Sequence, residues 1–271
     1  VCSGFGLVNS KQKSIISFID NPKYLSDLNK NKNIIVVITN RNLSEFISKK
    51  KLIISEDPRY DFFSLINELG QINYKKTKSL INKNANIHPS AFISEFNVKI
   101  GNNTIVGPNV TILPDVEIGD DCFIQAGAVI GSEGFEYKRT SKGIISVYHD
   151  GKVIIGNNVA IGSNSTIVRG FSFKNTIIEK NVKIDNLTYI AHGAHIKKGS
   201  FIIGCSLISG SVVIEENVWV GPNSTISNSI NIGENSFITL GSIVTKSVKA
   251  NETIIKGKSI QNDVFNRIIK K

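Results

Sequence analysis

From Ile178 to Val244 an aliphatic residue recurs at every sixth position, beginning Ile178, Ile184, Ile190 and Ile196. The same ruler fits Ile100, Val106, Ile112, Ile118, Ile124 and Ile130, and again Ile155, Ile161 and Ile167. A period of six is neither the 3.6 of a helix nor the 2 of a simple strand. It predicts a solenoid in which each six-residue step is one flat side of a coil. Four residues after the anchors stand small or β-branched residues, among them Thr104, Val110, Cys122, Ala128, Ala194 and Ser206. Three residues after them stand Asn103, Asn109, Asp121, Asn181, Asn217 or a glycine. Asn and Gly tolerate the left-handed backbone of a tight corner. The anchor therefore fills the interior, the small residue packs beside it, and Asn or Gly turns the chain. Three steps close a triangular coil of 18 residues. Successive coils stack as parallel strands about 4.8 Å apart.

Residues 1–80 do not follow this ruler. Ser14–Asp20, Asn33–Thr39 and Leu52–Ser55 read as strands. Helical patterns begin at Tyr24, at Leu43 and after Asp57-Pro58. Alternating strand and helix predicts a small α/β domain. Tyr74–Lys83 is basic and polar and reads as a linker, with coils beginning near Ile87-His88-Pro89 and the coil domain spanning 84–248. Two places break the ruler. Residues 131–152 form an insertion, and loops that leave a regular scaffold often carry function. Between Ile167 and Ile178 the interval is 11 rather than 12, which reads as a one-residue slip at a corner or a missing residue. The tail, residues 249–271, leaves the ruler, and Ser259–Ile269 is expected to form a short amphipathic helix capping the stack.

At 271 residues the chain is long enough for a large core and one or two domains. No apolar run approaches the roughly 20 residues of a membrane span. The opening Val-Cys-Ser-Gly-Phe-Gly-Leu is too short and uncharged for a signal peptide, although the chain has no methionine and does not start with one. Three scattered cysteines suggest a reducing compartment, and Cys122 falls in the inward small-residue column. No spacing supports a metal site. The net charge of +10 fits either a lysine-rich solvated surface or attraction to an acidic partner. No nucleic-acid motif accompanies the charge.

Four histidines are candidates for chemistry. His88, beside Pro89, reads as structural or surface. His195 falls on a flat outer face. His149 lies in the insertion and is a candidate ligand contact. His192 takes a corner place in Ile190-Ala191-His192-Gly193. A neutral imidazole there is either a surface group or a general base suited to neutral pH.

Three segments together resemble the UDP-3-O-acylglucosamine N-acyltransferase family, a branch of the left-handed β-helix hexapeptide acyltransferases. They are Ser17-Phe18-Ile19-Asp20-Asn21-Pro22-Lys23-Tyr24-Leu25, Val129-Ile130-Gly131-Ser132-Glu133-Gly134-Phe135, and Ile184-Asp185-Asn186-Leu187 through Ile190-Ala191-His192. The resemblance implies a mainly β fold: a left-handed parallel β-helix with a small N-terminal α/β domain and a short C-terminal helix. It implies that Phe18, Asn21 and Tyr24 hold the uracil and ribose of a sugar nucleotide. His192 is then the general base, aided by Asn186 six residues earlier. The N–H of Gly210 on the neighbouring coil is the expected oxyanion donor. The acyl group would come from a phosphopantetheine thioester on acyl carrier protein, with no tightly bound cofactor and no metal. A homotrimer in the cytoplasm of a Gram-negative bacterium is expected, with sites between subunits. The chain also departs from the family pattern. Ser229 stands where a second histidine is usual, Gly193 where Asn is common, and Val168 where Asp precedes Arg-Gly. These departures keep open a paralogue that acylates another amino-sugar nucleotide, with coenzyme A as donor. A binding or assembly scaffold without catalysis is a third reading, against which His192 and Asn186 argue.

Overall fold

A computed structural model describes residues 2–172, 174–256 and 258–264. The chain divides into two compact units. The first holds residues 1–75 with 135–150 and 171–173; the second holds 76–134, 151–170 and 174–271.

The first unit is built on four parallel strands in sequential order: β1 (Gly4–Phe5), β2 (Ile15–Ile19), β3 (Ile34–Thr39) and β4 (Lys51–Ile54). A 3-10 turn at Pro22–Tyr24 leads into α1 (Leu25–Lys30); α2 (Arg41–Ser44) and α3 (Pro58–Asn73) follow β3 and β4. Asp57 caps α3 by accepting from the Tyr60 N–H at 2.9 Å, and Pro58 sits where a helix needs no donor. Ile15, Ile19, Leu28, Ile34, Val37 and Leu43 form one core cluster. Phe62 and Phe63 of α3 form another with Ile38, Val147 and Phe171. The insertion supplies Val147 through an antiparallel hairpin, Tyr137–Thr140 with Gly143–Ser146. Asn67 of α3 holds it twice, donating to the Ser146 carbonyl and accepting from the Tyr148 N–H, both at 2.7 Å.

The second unit is a prism of three parallel sheets of eight, eight and ten strands, the ten including a final antiparallel strand. The first face includes Val98–Ile100, Val116–Ile118, Val153–Ile155, Thr176–Ile178 and His195–Ile196; the second includes Phe123–Ile124, Ala160–Ile161, Lys183–Ile184 and Phe201–Ile202; the third includes Thr111–Ile112, Val129–Ser132, Thr166–Val168, Tyr189–Ile190 and Leu207–Ile208. Every anchor from Ile100 to Val244 is at most 4% exposed. Burying each such side chain contributes about 1.5–3 kcal/mol before chain entropy is charged against it. Interior hydroxyls are satisfied by corner carbonyls: Ser200 donates to Glu215 O at 2.7 Å and Thr104 to Gly119 O at 2.8 Å. The corners are left-handed as expected, with φ of 54° at Asn103, 64° at Asn181 and 65° at Gly193.

Three sequence expectations change here. The coils begin earlier than Ile87: Leu80 and Ile81 already pair with Lys99 and Ile100, so the expected linker contributes a strand. Ser259–Ile269 is not one helix. Lys258–Gln261 is a strand antiparallel to Glu252–Ile255, residues 262–264 are helical, and the rest lies outside the described residues. The interval of 11 after Ile167 is not a slip within two steps. Ile167 is on the third face and Ile178 on the first, so the two are one step apart. One step needs six residues, and the other five are looped out. The long insertion behaves alike: Ile118 pairs with Ile155, an offset of 37 against 18 for Ile100 and Ile118, so nineteen residues are looped out. Both loops leave the prism at its third–first edge, in successive coils.

Candidate active site

His192 occupies the first closed corner on that edge after the two loops. The strand Tyr189–Ile190 delivers it, and Ala191 and Ala194 on either side are buried. His192 itself is half-buried. Its carbonyl accepts from the Ser211 N–H at 2.9 Å, which ties the corner to the coil below. Above it, the Gly193 N–H donates to the Thr176 hydroxyl at 2.9 Å. The imidazole lies against Gly210, one coil further on at the same edge. A Cβ on Gly210 would stand 2.4 Å from Cε1, 2.6 Å from Nε2 and 3.0 Å from Nδ1 of His192. A side chain there would displace the ring from this position, so Gly210 is its seat. The pairing follows from the repeat, because residues 18 apart share an edge.

Asn186 is placed differently. It follows Ile184 on the second face and turns the second–third edge. A step of six residues carries the chain along a whole face, so equal places in successive steps fall on different edges. Up to about 20 Å of extended chain separates Asn186 from His192. The Asn186 Oδ1 accepts from the Ser163 N–H at 2.6 Å, and its carbonyl from the Cys205 N–H at 3.0 Å. Within one chain Asn186 is thus a corner brace, and the fold does not bring it to His192.

His149 is 2% exposed. Its Nδ1 lies 2.9 Å from the Val147 carbonyl and its ring 5.7 Å from that of Phe171. With these contacts in the first unit it is a buried histidine and not an open ligand contact. Phe18 lies in β2, and Asn21 and Tyr24 follow its C-terminal end, the end at which parallel α/β sheets take ligands. The Phe18 ring packs on Phe62 at 4.8 Å and on Phe63 at 5.4 Å and remains partly exposed. Asn21 caps the 3-10 turn, accepting from the Lys23 N–H at 3.0 Å. Tyr24 is 39% exposed, with the Lys23 ammonium 4.6 Å from its ring centre. Sequence reading missed the ion pair between Asp20 and Arg59 beside them, at 2.8 Å. Arg59 follows the Asp57-Pro58 helix start, which was the available signal. It also missed Thr176, because the loop before it hid the register.

Cys122 is buried, and desolvation pushes its thiol up, as suits a core residue. His195 pairs with Glu179 at 2.7 Å on the first face, and His88 contacts the Ser90 hydroxyl at 2.9 Å. Among the described residues no group of three or more His, Cys, Asp or Glu is placed to hold a metal. Among them, too, no helix is long and apolar enough to cross a membrane.

Comparison with known proteins agrees with this architecture. The model of the bacterial transferase hexapeptide, six repeats, matches residues 97–132. That of the hexapeptide repeat of succinyl-transferase matches 152–190 and 211–246. A UDP-3-O-acylglucosamine N-acyltransferase of Rickettsia akari is 54% identical over 98 residues, covering 36% of this chain and 28% of the relative. One of Wolinella succinogenes is 33% identical over 150 residues, covering 55% of this chain and 47% of the relative. The chain thus spans between about a quarter and a half of the length of these relatives. The structure of a UDP-N-acetylglucosamine acyltransferase from Campylobacter jejuni superposes with a TM-score of 0.57 at 20% identity, over 71% of this chain and 81% of that one, which shows a shared fold. The chain folds as a left-handed β-helix that carries hexapeptide repeats, and part of it is similar to UDP-3-O-acylglucosamine N-acyltransferases.

Proposed function

We propose that the protein transfers an acyl group from a thioester to the 2-amine of UDP-3-O-acylglucosamine, with His192 as general base. The observation that carries this reading is the half-buried imidazole seated on Gly210, on the edge of the prism from which two loops depart. The names of the curated relatives support the substrate. His192 removes a proton as the amine nitrogen attacks the thioester carbonyl and the C–N bond forms. The tetrahedral oxyanion is met by a main-chain N–H, for which Gly210 is the candidate, being in contact with the ring. The C–S bond then breaks, and the imidazolium returns its proton to the leaving thiolate. No resident cofactor takes part; the phosphopantetheine arm is a co-substrate.

Phe18, Asn21 and Tyr24 hold the uridine end at the exit of β2, where an open ring edge and a hydroxyl are both available. The acyl donor is acyl carrier protein, an acidic partner suited to a chain of net charge +10. The working form is a homotrimer in the cytoplasm. An aromatic column on the second face supports subunit contact: Phe201 lies 5.8 Å from Trp219, and Trp219 stacks 6.0 Å from Phe237. Trimerisation also offers Asn186 a route to His192 of another subunit, since the two occupy different edges of one face.

Ser229, at the corner two coils after His192, favours a second reading in which another amino-sugar nucleotide is acylated from coenzyme A. A mass-spectrometric transfer assay separates the two. Product from UDP-3-O-acylglucosamine with acyl carrier protein is expected. Product only from another amino sugar, or only with coenzyme A thioesters, establishes the second reading. Nucleotide binding without turnover in any pairing overturns both and leaves a binding scaffold.

A further inference from the structure

We infer that Thr176 is a positioning residue for His192, standing in for a main-chain carbonyl that is turned away at this corner. At regular corners the left-handed residue donates its N–H to a carbonyl of the preceding coil. Asn181 donates to Asn157 at 3.0 Å, Cys205 to Asn186 at 3.0 Å, and Ser211 to His192 at 2.9 Å. Gly193, with φ of 65°, is the left-handed residue of the corner that carries His192. In the coil before it the chain loops out after Val168, and Lys174, which stands 18 residues before His192, turns its carbonyl toward Gly151 and Gly170 instead of Gly193. The stacked carbonyl is therefore replaced, and the Thr176 hydroxyl accepts from Gly193 at 2.9 Å instead.

The identity of residue 176 supports this role independently. It belongs to the inward small-residue column of the first face, where its neighbours are Val98, Val116 and Val153 before it and Ala194 and Val212 after it. All of these are apolar and at most 1% exposed. Thr176 is itself fully buried. A threonine has nearly the volume of valine, so packing alone gives no reason for a hydroxyl here, and burying one is unfavourable unless it is hydrogen-bonded. The bond to Gly193 supplies the reason. It fixes the His192–Gly193 peptide from above, while Gly210 receives the imidazole from below. The ring is thus held between two coils, and the Thr176 contact acts on it through the peptide without touching substrate.

The role rests on the proposed function only for its catalytic consequence, so the test has an arm that does not need turnover. In the full-length protein, Thr176→Val keeps shape and removes the acceptor; Thr176→Ser keeps the acceptor. Thr176→Val is expected to lower kcat about ten- to hundredfold with KM for the nucleotide sugar within about twofold. Thr176→Ser is expected to retain most of kcat. The His192 ring resonances, assigned by their loss in His192→Ala, should shift or broaden in Thr176→Val and not in Thr176→Ser. If Thr176→Val does not fold, Thr176→Ala replaces it with the same expectations. Unchanged ring resonances in Thr176→Val, or equal losses of kcat in the Val and Ser variants, overturn the inference. Full activity of His192→Ala would instead overturn the base assignment, and the ring resonances would still decide the role of Thr176.

Discussion

A glycine that touches a histidine ring is a demand on residue type that can be tested directly. At Gly210 the nearest approach of an added Cβ to the ring is 2.4 Å, well inside van der Waals contact. Gly210→Ala should push the imidazole off its seat, lowering kcat about a hundredfold with little change in thermal stability, since a half-buried ring has room to move. Near-normal kcat would show that the seat does not matter. The two aromatic residues of the first unit should divide in their effects. Phe18 packs on Phe62 and Phe63, so Phe18→Ala is expected to cost about 2–3 kcal/mol of stability in denaturant melts. Tyr24 is open to solvent, so Tyr24→Ala should leave stability unchanged and raise KM for the nucleotide sugar several-fold. An unchanged KM would return Tyr24 to a surface role.

At the scale of elements, both the outer faces and the edges of the prism carry ion pairs. Glu117 on the first face accepts from Lys152 at 2.8 Å and lies 3.7 Å from Lys99, forming a ladder across three coils. The hydrogen bond from Lys152 holds its carboxyl below the ordinary range, with the nearby charges of both lysines adding to the effect. A carboxyl lowered by folding stabilises the native state above its unfolded value, near 4.3, and loses that contribution as pH falls through the folded value. The melting temperature of wild type should therefore exceed that of Glu117→Gln at pH 6–7, and the gap should close as pH falls below about 4. A gap that persists at pH 3 would mean that the ladder acts through packing. Arg169 shows a second use of charge. It bridges Asp115 at 2.9 Å and Glu133 at 2.8 Å, tying together the segments from which both loops depart.

These elements also show where the sequence is legible. The sixfold ruler places every anchor from Ile100 to Val244, because interior aliphatic residues and left-handed Asn or Gly corners are each set by local sterics. The two loops were visible as breaks, yet their shared edge was not, since the ruler counts residues and does not say on which face a count resumes. That is why Thr176 went unnoticed and why Asn186 seemed adjacent to His192. His149 is a candidate ligand contact by its place in the insertion, and the loop sequence does not reveal that its ring is buried beside Phe171. The tail misled for a different reason: Lys258–Gln261 pairs with Glu252–Ile255, and that pairing overrides its helical pattern.

For the whole molecule, the same regularity that stabilises the prism explains where its chemistry can lie. A closed solenoid leaves its corners stacked and its main-chain groups paired, with little scope for a substrate to enter. Two successive coils send out loops at one edge, and His192 stands at the next corner of that edge. Across the described residues this is the place where a loop-bearing edge, a histidine and a glycine seat coincide. The most direct test is the transfer rate of wild type and His192→Ala, followed by mass spectrometry with UDP-3-O-acylglucosamine and acyl carrier protein thioester. Wild type should form the N-acyl product, and His192→Ala should form it at least about a hundredfold more slowly while still binding the nucleotide sugar. Equal rates in the two proteins would contradict the account.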